Sequence, residues 1–300
     1  MKTKPQKLNP GDTIGIISPS GAVKETEEFN RAVKYFEARG YKVKVAPHAQ
    51  DKNNYLAGKD TDRLEDLILF FNDPEIKAIF CSRGGYGMHR ILDKIPDLPP
   101  KIFVGFSDIT ALLNNLSFVT FHGPLVASDF GKEKVDPYTE GIFWKALTNN
   151  IKIFPNIYEY HCIKPGIAEG ELIGGNLSII CALLGTPYSL DFRGKILLLE
   201  DVGEPLYKID RMLAQLRLAG VFKQVAGILF AEFTDINALD LINDFCKNLA
   251  IPVGYGFPAG HSEHKATLPL GVRYRFDAGK FRLEIMEEIF NSISYTHLPT

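Results

Sequence analysis

Apolar runs alternate with helical spacings through the first half of this chain. Thr13-Ile-Gly-Ile-Ile17 closes on Ser18-Pro-Ser-Gly21, and Phe29, Ala32, Val33 and Phe36 then recur at i, i+3, i+4 and i+7, up to Gly40. Lys42-Val-Lys-Val-Ala46 leads to Leu64, Leu67, Ile68 and Phe71 at the same spacing. Ile76-Lys-Ala-Ile-Phe-Cys81 and Ile102-Phe-Val104 are two more strands, and Leu112, Asn115, Leu116 and Val119 mark a further helix. Strand and helix alternating over short links specify a parallel sheet wrapped by helices, an α/β fold. Residues 1–150 are expected to form this N-terminal doubly wound parallel-sheet domain. Ligands of such sheets bind beyond the carboxyl ends of the strands. The corners Arg83-Gly-Gly-Tyr-Gly87 and Gly105-Phe-Ser-Asp108 both follow strands directly, so both are expected on that edge.

The pattern changes near residue 150. A Pro-containing stretch, about 151–164, is expected to be a linker. Beyond it, 165–300 are expected to form a smaller mixed α+β C-terminal domain. Gly170-Glu-Leu-Ile-Gly-Gly-Asn176 precedes an apolar helix through Leu184, and Lys195-Ile-Leu-Leu-Leu199 and Ala226-Gly-Ile-Leu-Phe230 read as strands. Ile209, Met212, Leu213 and Leu216 mark the helix between them. Val272–Phe276 and Phe281–Ile285 read as a hairpin about Asp277-Ala-Gly-Lys280.

Charge and cysteines narrow the function. Thirty-four basic residues face 36 acidic ones, for a net charge of −2, and no like-charge block resembles a nucleic-acid arm or a polybasic membrane anchor. No nucleic-acid or membrane partner is expected. No apolar run approaches the ~20 residues of a membrane helix, and the N-terminus has no signal-peptide core, so the chain is expected in the cytoplasm. Cys81, Cys162, Cys181 and Cys246 are far apart and form no C-x-x-C, so free thiols are expected, with Cys81 and Cys181 buried.

Ser107 stands at a strand-to-helix corner, where a serine either caps the helix or presents its hydroxyl beside free backbone N–H groups. The match to G-x-S-x-G is incomplete, since Ile109 occupies the last glycine position. A nucleophilic serine needs a base, a partner for that base and oxyanion donors. Among seven histidines, His261 lies in the glycine-rich segment Gly254–Lys265, read as a loop, and is the base candidate. His264 beside it offers a metal pair, but no third ligand has convincing spacing. His122, in Phe121-His-Gly-Pro124, suits a core or supporting position, while His48, His89, His161 and His297 have no distinctive context. Glu200, Asp201 and Glu204 follow a buried strand and are the candidates for the base's partner. Arg83-Gly-Gly-Tyr-Gly87 fails the dinucleotide fingerprint, having Arg90 at the third glycine position, and is no phosphate loop. Its glycines suit either an oxyanion hole or a sharp turn, and Arg83 suits a substrate carboxylate or a strand-end cap.

These pieces occur in one order. Leu8–Gly21, Ala57–Leu67, Ser82–Gly87, Gly105–Asp108, His122–Pro124, Gly174–Asn176, Leu199–Asp201, Gly260-His261 and Thr267–Gly271 together resemble the LD-carboxypeptidase family of serine peptidases. Phe106 departs from the tyrosine or histidine of many members. The resemblance implies Ser107 as nucleophile, His261 as general base and Glu200 as its partner, with backbone N–H groups of Asp108 and Gly85 as oxyanion donors. Arg83, Gly84, Tyr86 and Asn176 stand within the matching segments and are expected to touch substrate. It further implies release of the terminal D-alanine from murein tetrapeptides during cell-wall recycling, by a cytoplasmic homodimer without metal or cofactor. A relative of microcin-immunity type, which cleaves a peptide–nucleotide amide, is the alternative within the family. A non-catalytic peptide- or sugar-binding protein would need the glycine corners without Ser107, Glu200 and His261 together.

Overall fold

The computed structural model describes residues 2–148, 151–155 and 160–291. His297, residues 149–150 and part of the expected linker, 156–159, lie outside the described residues.

The first half runs β1 (Thr13–Ile17), α1 (Thr26–Ala38), β2 (Lys42–Val45), α2 (Asp60–Asn72), β3 (Ile76–Cys81), β4 (Ile102–Gly105), α3 (Thr110–Asn115), β5 (Thr120–His122) and α4 (Pro137–Thr148). Its strands pair parallel, in spatial order β5-β4-β3-β1-β2. The order reverses between β1 and β3, a switch point where the loops leaving those strands diverge and open a crevice. The loop after β1 (Ser18–Gly21) and the loop after β3 (Ser82–Gly87) meet there, with Gly21 N–H donating to the Gly84 carbonyl at 2.9 Å.

The second half runs β6 (His161–Lys164), β7 (Ile167–Asn176), α5 (Leu177–Leu183), β8 (Ile196–Val202), α6 (Leu206–Leu218), β9 (Gly227–Thr234), α7 (Leu239–Cys246), β10 (Val253–Phe257), β11 (Leu268–Leu270), β12 (Arg273–Asp277) and β13 (Arg282–Ile285). Seven of these strands form one sheet, β13-β12-β7-β8-β9-β10-β6, parallel from β7 to β10 and antiparallel at both margins. The expected hairpin is β12–β13. β11 crosses over and adds an antiparallel strand to the first sheet, beside β5.

The pleat of β8 sorts its side chains between two cores. Leu197 and Leu199 pack with α5, α6 and α7, whereas Ile196 and Leu198 belong to the cluster shared with the first half. Successive strand residues point to opposite faces. Glu200 therefore continues the face toward the first half, and Asp201 the face toward α5.

Three expectations change. The helix after Ser107 stops at Asn115 instead of reaching Val119, because β5 must begin at Thr120. Gly254–Phe257, read as part of a loop, forms most of β10, since β9 offers it a parallel ladder. Residues 161–164 of the expected linker form β6, and Ile151 and Phe154 are buried in the core. Among the described residues, no helix is long and apolar enough to cross a membrane. All four cysteines are free, and Cys162 alone is exposed.

Candidate active site

Ser107 opens a 3-10 turn, Ser107–Ile109, between β4 and α3. Its φ is +64°. A non-glycine residue in this region stores roughly 1–3 kcal/mol of strain and persists only where its surroundings impose it. The N-cap position is taken by Phe106, and no side chain caps the turn. Capping therefore does not explain the serine. Gly84 packs against it: a Cβ at Gly84 would lie 2.7 Å from Ser107 Cβ and 2.9 Å from Oγ. Glycine there keeps the hydroxyl clear.

The neighbouring loop is tied to this corner. Asp108, buried, accepts the Met88 N–H at 2.8 Å. Arg63, on α2 and 1% exposed, donates from Nη1 to the Pro19 carbonyl at 2.7 Å and the Gly87 carbonyl at 3.0 Å. One guanidinium thus holds both loops of the switch point. Arg63 was not singled out from sequence, although it shares its helical stripe with Leu67 and Phe70, an arginine on an apolar face. Gly85, next to Gly84, is exposed at φ +105°, and Asp108 is the second residue of the 3-10 turn.

The histidine and its acid come from the second half. His261 Nδ1 lies 2.7 Å from Glu200 Oε2, and the His261 backbone N–H donates to the same oxygen at 3.3 Å. Glu200 is completely buried. Burial alone would raise its carboxyl, but the His261 hydrogen bond and the neighbouring His261, His122 and Asn176 side chains outweigh it, holding the group below its usual value. Gly260, at φ +77°, is required, because any Cβ would fall on the Glu200 carboxylate. The ring of Phe106, the residue before Ser107, packs edge-on against His261 with centroids 4.8 Å apart. The serine corner and the imidazole thus share a wall.

The loop carrying His261 is fastened to the first half. Lys265 Nζ lies 3.0 Å from Asp129 Oδ1, both side chains buried, and donates to the Ser262 carbonyl at 2.6 Å. Lys265 N–H donates to Thr139 Oγ1 at 2.9 Å, and His264 Nδ1 lies 2.9 Å from Asp136 Oδ1. These anchors were missed: Asp129 and Asp136 are ordinary acids in sequence, more than 120 residues from their partners. His264 is thereby engaged as an anchor. Among the described residues, the His/Cys/Asp/Glu group close enough to share an ion is His48, Asp51 and Asp62, away from His261.

Of the three candidate acids, only Glu200 meets the histidine. Asp201 accepts from Asn176 Nδ2 and the Ser178 N–H, both at 3.0 Å. Glu204 pairs with Lys208 at 3.2 Å. Asn176 is buried and caps α5, its side-chain oxygen accepting from Ile179 N–H at 3.2 Å. Arg83 donates to the Ala22 carbonyl at 2.8 Å and is partly exposed. Tyr86 is exposed and packs edge-on against Tyr55, with centroids 5.6 Å apart.

Residues 14–123 match the LD-carboxypeptidase N-terminal domain, and residues 169–276 the LD-carboxypeptidase C-terminal domain. A Bacillus subtilis protein named a probable murein peptide carboxypeptidase is 36% identical, over 90% of each chain. Two solved structures share the fold. An MccF-like protein from Bacillus anthracis superposes with a TM-score of 0.87 at 31% identity, covering 95% of this chain and 99% of that one. A muramoyltetrapeptide carboxypeptidase from Oxalobacter formigenes superposes with a TM-score of 0.80 at 29% identity, covering 91% and 97%.

Proposed function

The chain belongs to the LD-carboxypeptidase family of serine peptidases, and from that premise we propose that it releases the terminal D-alanine from murein tetrapeptides by a Ser107–His261–Glu200 triad. The observation that carries this reading is the His261 Nδ1 contact with a buried Glu200 carboxylate, beside a serine held at positive φ.

The geometry orders the steps. With Nδ1–H held by Glu200, the neutral imidazole keeps its lone pair on Nε2. Nε2 takes the Ser107 proton as Oγ attacks the carbonyl preceding the D-residue. The N–H groups of Asp108 and Gly85 receive the developing oxyanion. His261, now protonated and stabilised by Glu200, gives its proton to the departing amine of D-alanine. Water, deprotonated by the same nitrogen, then hydrolyses the acyl-enzyme. Arg83, with donors beyond the one bound to Ala22, suits the substrate's terminal carboxylate. Gly84 leaves room for the chain beside it, Tyr86 lines the rim, and Asn176 shapes the floor through the α5 cap. On this reading the enzyme is a homodimer that works in the cytoplasm on recycled murein peptides and needs no metal or cofactor.

The test is incubation with a murein tetrapeptide, followed by mass spectrometry for loss of one alanine. Ser107→Ala should lower turnover by several orders of magnitude. Wild-type turnover in that variant would overturn the triad. Cleavage of a peptide–nucleotide conjugate in preference to the tetrapeptide would overturn the substrate.

A further inference from the structure

His122 ends β5 and is completely buried, yet neither ring nitrogen has a partner among the described residues. A buried polar group left without a hydrogen bond is unfavourable by roughly 1–3 kcal/mol, so such a group in a folded protein calls for an explanation. A matching group lies nearby. Glu200 Oε1 is likewise buried with no hydrogen bond of ordinary geometry, although the Asn176 side chain lies near enough to favour the carboxylate, while its sister oxygen holds His261. Between His122 and Glu200 runs the glycine end of β7. A Cβ at Gly175 would lie 3.2 Å from His122 Nδ1, and the next residue, Asn176, pairs with Glu200. The end of β7 therefore sets the His122 ring beside Glu200, and the two groups act on each other electrostatically. The titratable groups facing His122 are Glu200 and His261. Burial drives the His122 imidazole down to about 4, so it is neutral at working pH and carries one N–H and one acceptor nitrogen.

We propose that His122 is a positioning residue for Glu200, its N–H reaching Oε1 through one bound water. Such a water has the two to four polar partners that buried waters take. Oε1 held in this way leaves Oε2 directed at His261 Nδ1 and spreads the carboxylate charge over both oxygens. The proposal rests on the triad reading above.

The experiment uses the full chain and a murein tetrapeptide, with kcat, KM and the pH profile measured for His122→Phe, His122→Gln and Ser107→Ala. Loss of one hydrogen bond to a buried charged group corresponds to about 10- to 100-fold in kcat. That drop is expected for His122→Phe, with KM little changed. The acidic limb of kcat/KM should move to higher pH, because the undivided charge on Oε2 favours the protonated base. His122→Gln keeps an N–H donor and should recover kcat to within a few-fold, with the limb restored. A purely structural histidine would move neither the limb nor the Gln rescue. His122→Phe with wild-type kcat and pH profile, or His122→Gln no better than Phe, overturns the proposal while an inactive Ser107→Ala leaves the triad standing. A fully active Ser107→Ala overturns both. Should His122→Phe not fold, His122→Leu removes the same donor with a smaller side chain, and an unchanged limb in that variant overturns the proposal.

Discussion

Ser107 and His261 reach the proposed site by opposite means. Ser107 is placed by its own backbone, at the end of a buried strand, with φ +64° and Gly84 against it. Residues 84 to 108 supply its direct contacts, and Arg63 braces the loops around them. His261 is placed by side chains gathered from across the fold: Glu200 below it, then Lys265–Asp129 and His264–Asp136 tying its loop to the first half. The first arrangement is local and rigid. The second depends on charges meeting over long sequence distances, and its parts fail separately.

The largest expected effect tests the long-range side. Glu200→Gln keeps the shape but loses the charge and presents the wrong hydrogen-bonding group to Nδ1. A fall in kcat of roughly 10³–10⁴-fold is expected. Steady-state assays checking this would sink the pairing if kcat stayed within about tenfold of wild type. The local side is tested by Gly84→Ala. Its methyl would press on Ser107 Cβ and Oγ, and a displacement of about 1 Å is expected to lower kcat by roughly 10²-fold. The fold should survive, as read by an unchanged far-ultraviolet circular dichroism spectrum.

Lys265→Met breaks the anchor without changing a residue of the proposed triad. It leaves Asp129 buried and uncompensated, which should destabilise the protein by about 3–5 kcal/mol. Turnover of the folded fraction should fall by only about tenfold as the His261 loop loosens. Adding Asp129→Asn removes the orphaned charge and keeps the residue's polar shape, so denaturant melts should show most of the stability restored. A double variant as unstable as the single one would show that the anchor is not electrostatic.

The last effect is one on stability alone, and it concerns His122. In the unfolded chain it takes up a proton near the ordinary value of about 6.5, in the folded protein only near about 4. Between those values the unfolded state binds more protons, so stability is present above the window and is lost as pH falls through it. The loss amounts to on the order of 3 kcal/mol. Urea melts at pH 7 and pH 4.5 should show it, and His122→Phe should flatten the slope. An equal slope in the variant would assign it to other groups.

Much of the site could be read from the chain because it sits where strands end. Ser107, Arg83–Gly87 and Glu200 each follow an apolar run, and parallel sheets gather such positions on one edge. Short elements were harder. β5 and β11 have three residues each, too few to show a period of two, and β11 pairs with a strand about 150 positions away. Asp129, Asp136 and Lys265 are chemically ordinary, and only their distant partners make them anchors.

The sequence by itself determined the strand–helix alternation, hence the parallel first sheet, the edge on which a site forms, and the residue types available there. Choosing among Glu200, Asp201 and Glu204 fell to the tertiary structure. Adjacent strand residues point to opposite faces, and only packing established which face of β8 turns toward His261 and which toward the N-terminus of α5. The same holds for Ser107, whose cap reading is set aside by a backbone angle and by a turn that no side chain caps. That angle is imposed by contacts with Gly84 and the neighbouring loops, because strain of this kind persists only where surrounding structure holds it.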